Sequence, residues 1–320
     1  MMMKVIKMFA RLIDRLALYQ FHQKRSQENH FSLKTLPYSA IKETNVSISS
    51  FREVEDYRVG KLTFQSVIPS SIPCNDFVKG EVWLQKIEDM PNVIFVHGWR
   101  MESYDRVKNI FHERIKNELH WNMYYIPLPY HMERKPSESL YSGEYMISAN
   151  INRTVLATQQ AIADIRAVIQ WIKSNQKGPI IVIGVSLGGW ITNLLATMEE
   201  NIDYISSIFY TNSLAHAVWH TIPGRYIKAD LVKHGVTFQD LQTYWDVTNP
   251  SCFSPVVNKN NIFLLSAKYD QYVDFDDATD LWKSWGYPKR MVMNCGHSGI
   301  VLKRKQIADE TIRFLTERLK

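Results

Sequence analysis

The run Ile180-Ile181-Val182-Ile183-Gly184-Val185-Ser186-Leu187-Gly188-Gly189 carries an apolar strand straight into an expected helix through a Gly-x-Ser-x-Gly corner. A strand that is apolar throughout must be covered on both faces, which points to a parallel sheet between helices. The corner constrains the chain further. A strand that turns at once into a helix forces its serine into strained backbone geometry, and a side chain at either flanking glycine would collide with neighbouring backbone. Ser186 then projects above the sheet edge. Behind it the helix N-terminus offers a positive dipole end and free N–H groups, useful where an oxyanion develops. A plainer reading is a glycine-rich turn whose serine only caps the helix. A dinucleotide-binding turn fits less well, because it needs glycine at position 186 and an acid about 20 positions on. Glu199 and Glu200 stand nearer, at the end of the same helix.

The rest of the chain alternates strands with helices. Lys61 to Val67 and Gly80 to Ile87 read as a leading antiparallel hairpin joined through the Pro69 to Pro73 loop. Val93 to Val96 forms a short apolar strand that ends in His97-Gly98-Trp99-Arg100. A helix is expected from Tyr104 to Leu119, a strand at Met123 to Ile126, and a proline-punctuated loop from Pro127 to Ala149. A long amphipathic helix over Thr154 to Ser174 precedes the Ile180 strand. Further strands are expected at Ile205 to Tyr210, Ile262 to Ala267 and Arg290 to Met293. This alternation predicts an α/β fold with a mostly parallel sheet covered on both faces, and active groups at the carboxyl ends of its strands. The segment from Ser213 to Phe253 is too long for a simple connection. It predicts a small helical cap, rich in aromatics at Trp219, Tyr226, Phe238, Tyr244 and Trp245.

Composition narrows the classes. A chain of 320 residues, 45% hydrophobic, can bury a large core. The reading favoured is residues 1–50 as an N-terminal basic amphipathic helix and linker, and residues 51–320 as one domain with the cap inserted at about 213–253. Three widely spaced cysteines, Cys74, Cys252 and Cys295, suit a reducing compartment and give no zinc pattern. No HExxH occurs. A cytoplasmic location is expected. The net charge of +6 and pI near 9.0 come from dispersed basic residues, not the concentrated stripe a nucleic-acid binder needs. The cluster Lys303-Arg304-Lys305 reads as a solvated helix face.

The N-terminus is less even. Lys4, Lys7, Arg11, Asp14 and Arg15 recur at helical spacing, while Val5, Ile6, Phe9, Leu12, Ile13 and Leu16 fill the other face. Charge interrupts this helix too often for it to span a bilayer, and its uncharged run is too short for a signal peptide. Two readings stand side by side: the helix lies on an anionic membrane surface, or it packs its apolar face on the domain or on a second subunit.

An elbow serine needs a histidine to take its proton and a carboxylate to orient that histidine. Of His216, His220, His234 and His297, only His297 follows a late strand, in the loop Asn294-Cys295-Gly296-His297-Ser298-Gly299. Asp270 sits just beyond the Ile262 strand and ranks first as the acid. Asp274 ranks second, since Asp274, Asp276 and Asp277 open the next helix, where acids complement the dipole. For the oxyanion the candidate donors are the N–H of Leu187, directly after the serine, and the N–H of Trp99. His97 reads as a loop-shaping residue.

With these pieces the chain resembles the α/β-hydrolase superfamily from about Gly60 to Leu319. The resemblance rests on the loop His97 to Trp99, the elbow Gly184 to Gly189, Asp270 after its strand, and Cys295-Gly296-His297. The stretch Pro127 to Arg134 with Ser142-Gly143-Glu144 looks like poorly characterised hydrolase-like members. It either lines the site or braces the loop. Where members commonly carry proline four residues after the acid, this chain has Asp274. The resemblance implies acyl transfer to water through a Ser186 acyl-enzyme, with Asp270 and His297 completing the triad and no cofactor. A carboxylic ester is the expected substrate. Lipid-ester, thioester and peptide hydrolysis use the same machinery, and a non-catalytic binding protein on this fold is the alternative of a different class.

Overall fold

The computed structural model describes residues 2–19 and 44–319. After the N-terminal helix α1 (Met2–Tyr19) come β1 (Ser47–Val54), β2 (Tyr57–Gln65), the single turn α2 (Pro73–Asp76) and β3 (Phe77–Gln85). The alternating part follows: β4 (Asn92–Val96), α3 (Asp105–Arg114), β5 (Asn122–Ile126), α4 (Ile151–Asn175), β6 (Ile180–Val185), α5 (Leu187–Ala196) and β7 (Tyr204–Ile208). Three helices, α6 (Leu214–His220), α7 (Arg225–Lys233) and α8 (Phe238–Trp245), then precede β8 (Ile262–Ala267). The chain closes with α9 (Phe275–Ser284), β9 (Lys289–Met293), α10 (Gly299–Leu302) and α11 (Arg304–Thr316).

The described strands form one sheet in the order β1-β2-β3-β5-β4-β6-β7-β8-β9. The first three and their junction with β5 are antiparallel, and every pairing from β5 through β9 is parallel. The parallel strands β4, β5, β6 and β8 are buried along their whole length. Alternate residues feed two cores. Ile94, Tyr124 and Val182 meet Ile162 and Ile169 of α4 and Trp190 of α5 on one face. On the other, Phe95, Tyr125 and Ile183 share a core with Phe111 of α3 and Phe314 of α11. Since β4 pairs β5 on one side and β6 on the other, the chain reverses direction across the sheet there. The crevice above those carboxyl ends is where sheets of this kind hold ligands.

Differences from the sequence expectation have local causes. The polar stretch expected over residues 23–50 lies outside the described residues as far as position 43. From Ser47 onward it is not linker but β1, paired to β2. Its register shifts between Ser49 and Arg52, so its apolar residues lose the period of two that marks a strand. Helix α4 starts at Ile151 because the Asn150 side chain accepts from the Arg153 N–H, a capping bond one turn upstream of the apolar repeat. The helix expected to end at Leu119 closes on a π-helical turn, Ile115–Leu119, and His120 leaves it with a positive φ of 55°.

Candidate active site

Ser186 stands at the junction of β6 and α5 with φ 58° and ψ −119°, the strained corner geometry the elbow demands. The flanking glycines are compulsory. A Cβ on Gly184 would lie 2.2 Å from the Gly188 carbonyl oxygen, and one on Gly188 would lie 2.0 Å from that of Val96. Although Ser186 occupies the N-cap position of α5, its side chain makes no capping bond. Its Oγ instead lies 2.9 Å from His297 Nε2. That contact rules out the capping reading of the motif.

His297 comes from the loop between β9 and α10, at the far end of the parallel strands from which Asp270 also emerges. Asp270 Oδ2 lies 2.8 Å from His297 Nδ1, and both side chains are buried. The other Asp270 oxygen accepts from the backbone N–H groups of Tyr272 and Val273 at 2.8 and 3.1 Å. Burial raises the Asp270 pKa, and the adjoining His297 and the Tyr272 N–H work against that rise. Asp274 does a different job. It caps α9 through the N–H groups of Asp276 and Asp277 and faces His216 at 3.8 Å. The His216 contact and those backbone donors pull its pKa down to about 2.

The β4 loop closes over the serine from the other side. A Cβ on Gly98 would sit 3.3 Å from the Ser186 Cβ, so the loop passes in van der Waals contact with the elbow. Trp99 and Leu187 both line the pocket beside Ser186. Among the described hydrogen bonds neither backbone N–H has a protein acceptor, as an oxyanion site requires. His97 is buried under this loop, with Nδ1 2.8 Å from the Gly98 carbonyl and Nε2 accepting from Leu128 N–H at 2.9 Å. Burial lowers its pKa to about 4, so it is a neutral strut.

Comparison with known proteins bears on the fold that carries this arrangement. Residues 88–221 fit the family described as alpha/beta hydrolase domain containing 18. The chain is 56% identical to the uncharacterized protein YdjC of Bacillus subtilis over 113 residues, which is 35% of this chain and 97% of that one. The chain belongs to the α/β-hydrolase superfamily. Two uncharacterized proteins of Mycobacterium tuberculosis are 25% identical over 230 residues, 69% of this chain and 53% of theirs, so the match spans about half their length. Among solved structures, acetyl xylan esterase 1 from Thermoanaerobacterium sp. superposes with TM-score 0.63 at 13% identity, covering 86% of this chain and 87% of the other. The acetyl xylan esterase from Paenibacillus sp. R4 gives 0.62 at 10%, covering 98% and 94%. At such identities these two show the shared fold.

On this hydrolase fold the pocket beside Ser186 has a volume of about 390 Å³. The helices expected as a cap supply Leu214, Val218 and Ile227 to its wall. None of the aromatics Trp219, Tyr226, Phe238, Tyr244 and Trp245 lines it. Trp245 is buried with its indole N–H on the Ile151 carbonyl, and Trp219 packs against Phe238. The part of the wall that α6 and α7 supply is aliphatic, because their small and branched residues face the crevice.

The stretch from Pro127 to Glu144 contributes none of the pocket's lining residues and instead braces the β4 loop. The Trp99 indole donates to the Gly143 carbonyl at 2.7 Å, and the Ser142 hydroxyl donates to the Met101 carbonyl. Arg134 anchors the stretch from below through a buried ion pair with Asp164 at 2.8 Å and bonds to the Asn75 and Pro127 carbonyls.

Two residues of the site carry no sign of it in the sequence. Asp14 of α1 is fully buried against the histidine loop. Its carboxylate accepts from the backbone N–H groups of His297 and Ser298 and from the Ser298 hydroxyl, each at 2.9 Å. Gly296 makes room for it, since a Cβ there would fall 2.4 Å from Asp14 Oδ2. Tyr272 stacks on the His297 ring at 4.5 Å and donates its hydroxyl to the Asp14 carbonyl at 3.0 Å. A carboxylate that recognises backbone has no partner residue type to mark it. The only signal is Gly296, whose missing side chain is needed for this approach.

Proposed function

We propose that this protein is a serine hydrolase of carboxylic esters working through a Ser186 acyl-enzyme. The observation that carries the reading is the continuous relay Ser186 Oγ, His297 Nε2, His297 Nδ1, Asp270 Oδ2, with links of 2.9 and 2.8 Å, opening on a largely apolar pocket. His297 takes the Ser186 proton as Oγ adds to the acyl carbon, then gives that proton to the departing alcohol. Water repeats the sequence on the acyl-enzyme and frees the acid. Asp270 holds the ring with Nε2 toward the serine and offsets the positive charge that develops on it. The N–H groups of Leu187 and Trp99 receive the oxyanion, each donor lowering the barrier by ~2.7–4 kcal/mol. No step calls on a cofactor.

Pocket chemistry favours an apolar acyl group, because Leu214, Val218, Ile227 and Ile300 border the space next to Ser186. The test is labelling with a fluorophosphonate probe, followed by turnover of p-nitrophenyl acetate, butyrate and decanoate by wild type and Ser186→Ala. Wild type should label and hydrolyse the butyrate or decanoate best, and Ser186→Ala should lose both properties. Parallel thioester and anilide substrates place the enzyme among acyl-transfer classes. A wild type that neither labels nor turns over any of them would leave the fold as a binding module.

A further inference from the structure

Helix α1 is only half occupied by its contact with the domain. Asp14 and Leu18 are buried and Ile6, Ala10, Ile13 and Ala17 are half-buried, all on the side toward the histidine loop and the pocket. Next to that face Val5, Phe9, Leu12 and Leu16 form one stripe, each more than half exposed, with Val5 and Phe9 edging a groove against Cys295 and Leu302. Val301 and Leu302, from the turn that follows His297, are also exposed and border the pocket, as do Ile13 and Ala17. The apolar surface therefore runs from the helix to the mouth of the pocket. Large exposed apolar residues so grouped mark an interaction surface.

Charge identifies the occupant. Beside the apolar stripe run Lys4, Lys7, Arg11 and Arg15, all exposed, while Asp14, the only acid of the helix, is turned inward and consumed by the His297 loop. The outward charge of the helix is thus purely positive. A second copy presenting the same face would meet like charge, whereas an anionic bilayer offers phosphate to the basic stripe and hydrocarbon to the apolar one. Asp14 sets this orientation. The bonds that fasten it to His297 and Ser298 decide which side of α1 faces out.

We propose that the outer half of α1, with Val301 and Leu302, is a docking surface for an anionic lipid bilayer that brings the pocket mouth to the lipid. The surface itself does not depend on the hydrolytic reading. Only its consequence, that apolar esters reach Ser186 from the lipid side, rests on that reading.

The full chain is sedimented with vesicles of phosphatidylcholine alone and of phosphatidylcholine mixed with phosphatidylglycerol. Wild type and Ser186→Ala should bind the mixed vesicles equally, prefer them to the neutral ones, and be released by high salt. Combined Phe9→Ser, Leu12→Ser and Leu16→Ser should weaken binding at least ~10-fold, and so should combined Lys4→Gln, Arg11→Gln and Arg15→Gln. Soluble p-nitrophenyl butyrate turnover should stay within about twofold for both sets, showing that α1 remains docked. Wild type that binds neither vesicle, or variant sets that bind as well as wild type, would overturn the proposal. A wild-type dimer dissolved by the serine set would overturn it in favour of self-association. Vesicle binding retained by a protein that proves inactive on every ester would remove the hydrolytic reading alone.

Discussion

Asp270 and Asp14 hold the same histidine from opposite ends of the chain. Asp270, 27 residues before His297, grips the ring nitrogen, whereas Asp14, 283 residues before it, grips the backbone of the loop. The first bond fixes the tautomer and orientation of the imidazole. The second fixes where the loop stands, and so where the imidazole begins. Tyr272 ties the two together, lying flat on the ring while its hydroxyl reaches the backbone of α1. A histidine acting as the proposed general base would need both kinds of constraint, because a displacement of about 1 Å can cost ~100-fold in rate.

The comparison breaks most sharply at Asp270. Asp270→Asn should lower kcat about 10⁴-fold, the cost of presenting the wrong tautomer to the serine. Asp274→Asn should change it less than about threefold, since asparagine still caps α9. Steady-state kinetics on one soluble ester decide the matter, and equal losses for the two would undo the assignment of the acid.

Asp14→Ala should come next. It leaves two backbone N–H groups and a hydroxyl of the histidine loop without their acceptor, at a cost of roughly 1–3 kcal/mol in stability for a buried donor left unsatisfied. We expect kcat to fall on the order of 100-fold, with KM rising as well, because the histidine loop and α1 also form part of the pocket wall. Gly296→Ala should give a weaker form of the same defect by pushing against the carboxylate. Chemical denaturation and kinetics on both variants check this. An Asp14→Ala enzyme of normal kcat would make the helix a passive passenger.

The same pair explains what the sequence could tell. The parallel strands, the elbow and Asp270 are legible because each obeys a local rule: an apolar run, a glycine corner, an acid one loop beyond a strand. Asp14 obeys none. On a helical wheel it falls among Lys7, Arg11 and Arg15 and reads as one more solvated charge, yet it is the residue that docks the helix. The aromatics of α6 to α8 are ambiguous in another way. In sequence they suit a pocket lining or a packed core equally, and the large rings fill the space behind the helices while Leu214 and Val218 face the pocket. Long-range packing decides both cases.

Acid offers a way to separate the two loops around Ser186. His97 is neutral when folded with a pKa of about 4, against ~6.5 when unfolded, so its burial stabilises fully above pH ~6.5 and that stability is lost as pH falls toward 4. The fold should lose about 3 kcal/mol over that window from this residue alone. Buried His131, its ring 4.9 Å away, is likewise held well below the ordinary histidine range by burial and acts in the same direction. Urea titrations between pH 7 and 4 should show the decline, and His97→Gln should shrink it. A decline that His97→Gln leaves unchanged would show that His97 is not its source.

The smallest expected effect tests whether the β4 loop, like the histidine loop, is held by a distant contact. Trp99 sends its indole N–H to the Gly143 carbonyl, 44 residues on, while its ring packs near Tyr141 and under Arg100. Trp99→Phe keeps the ring contacts and deletes one hydrogen bond, leaving the Gly143 carbonyl unmatched, for about 1 kcal/mol of stability. If the backbone N–H of Trp99 is the second oxyanion donor, loosening its tether should lower kcat a few-fold, roughly threefold to tenfold, with KM unmoved. The fluorophosphonate labelling rate should fall in parallel, because that reaction develops charge at the same oxygen position. A loss in labelling without a loss in stability would place the tether in the chemistry. A loss in stability alone would show that Gly98 and the struts around His97 hold the donor without it.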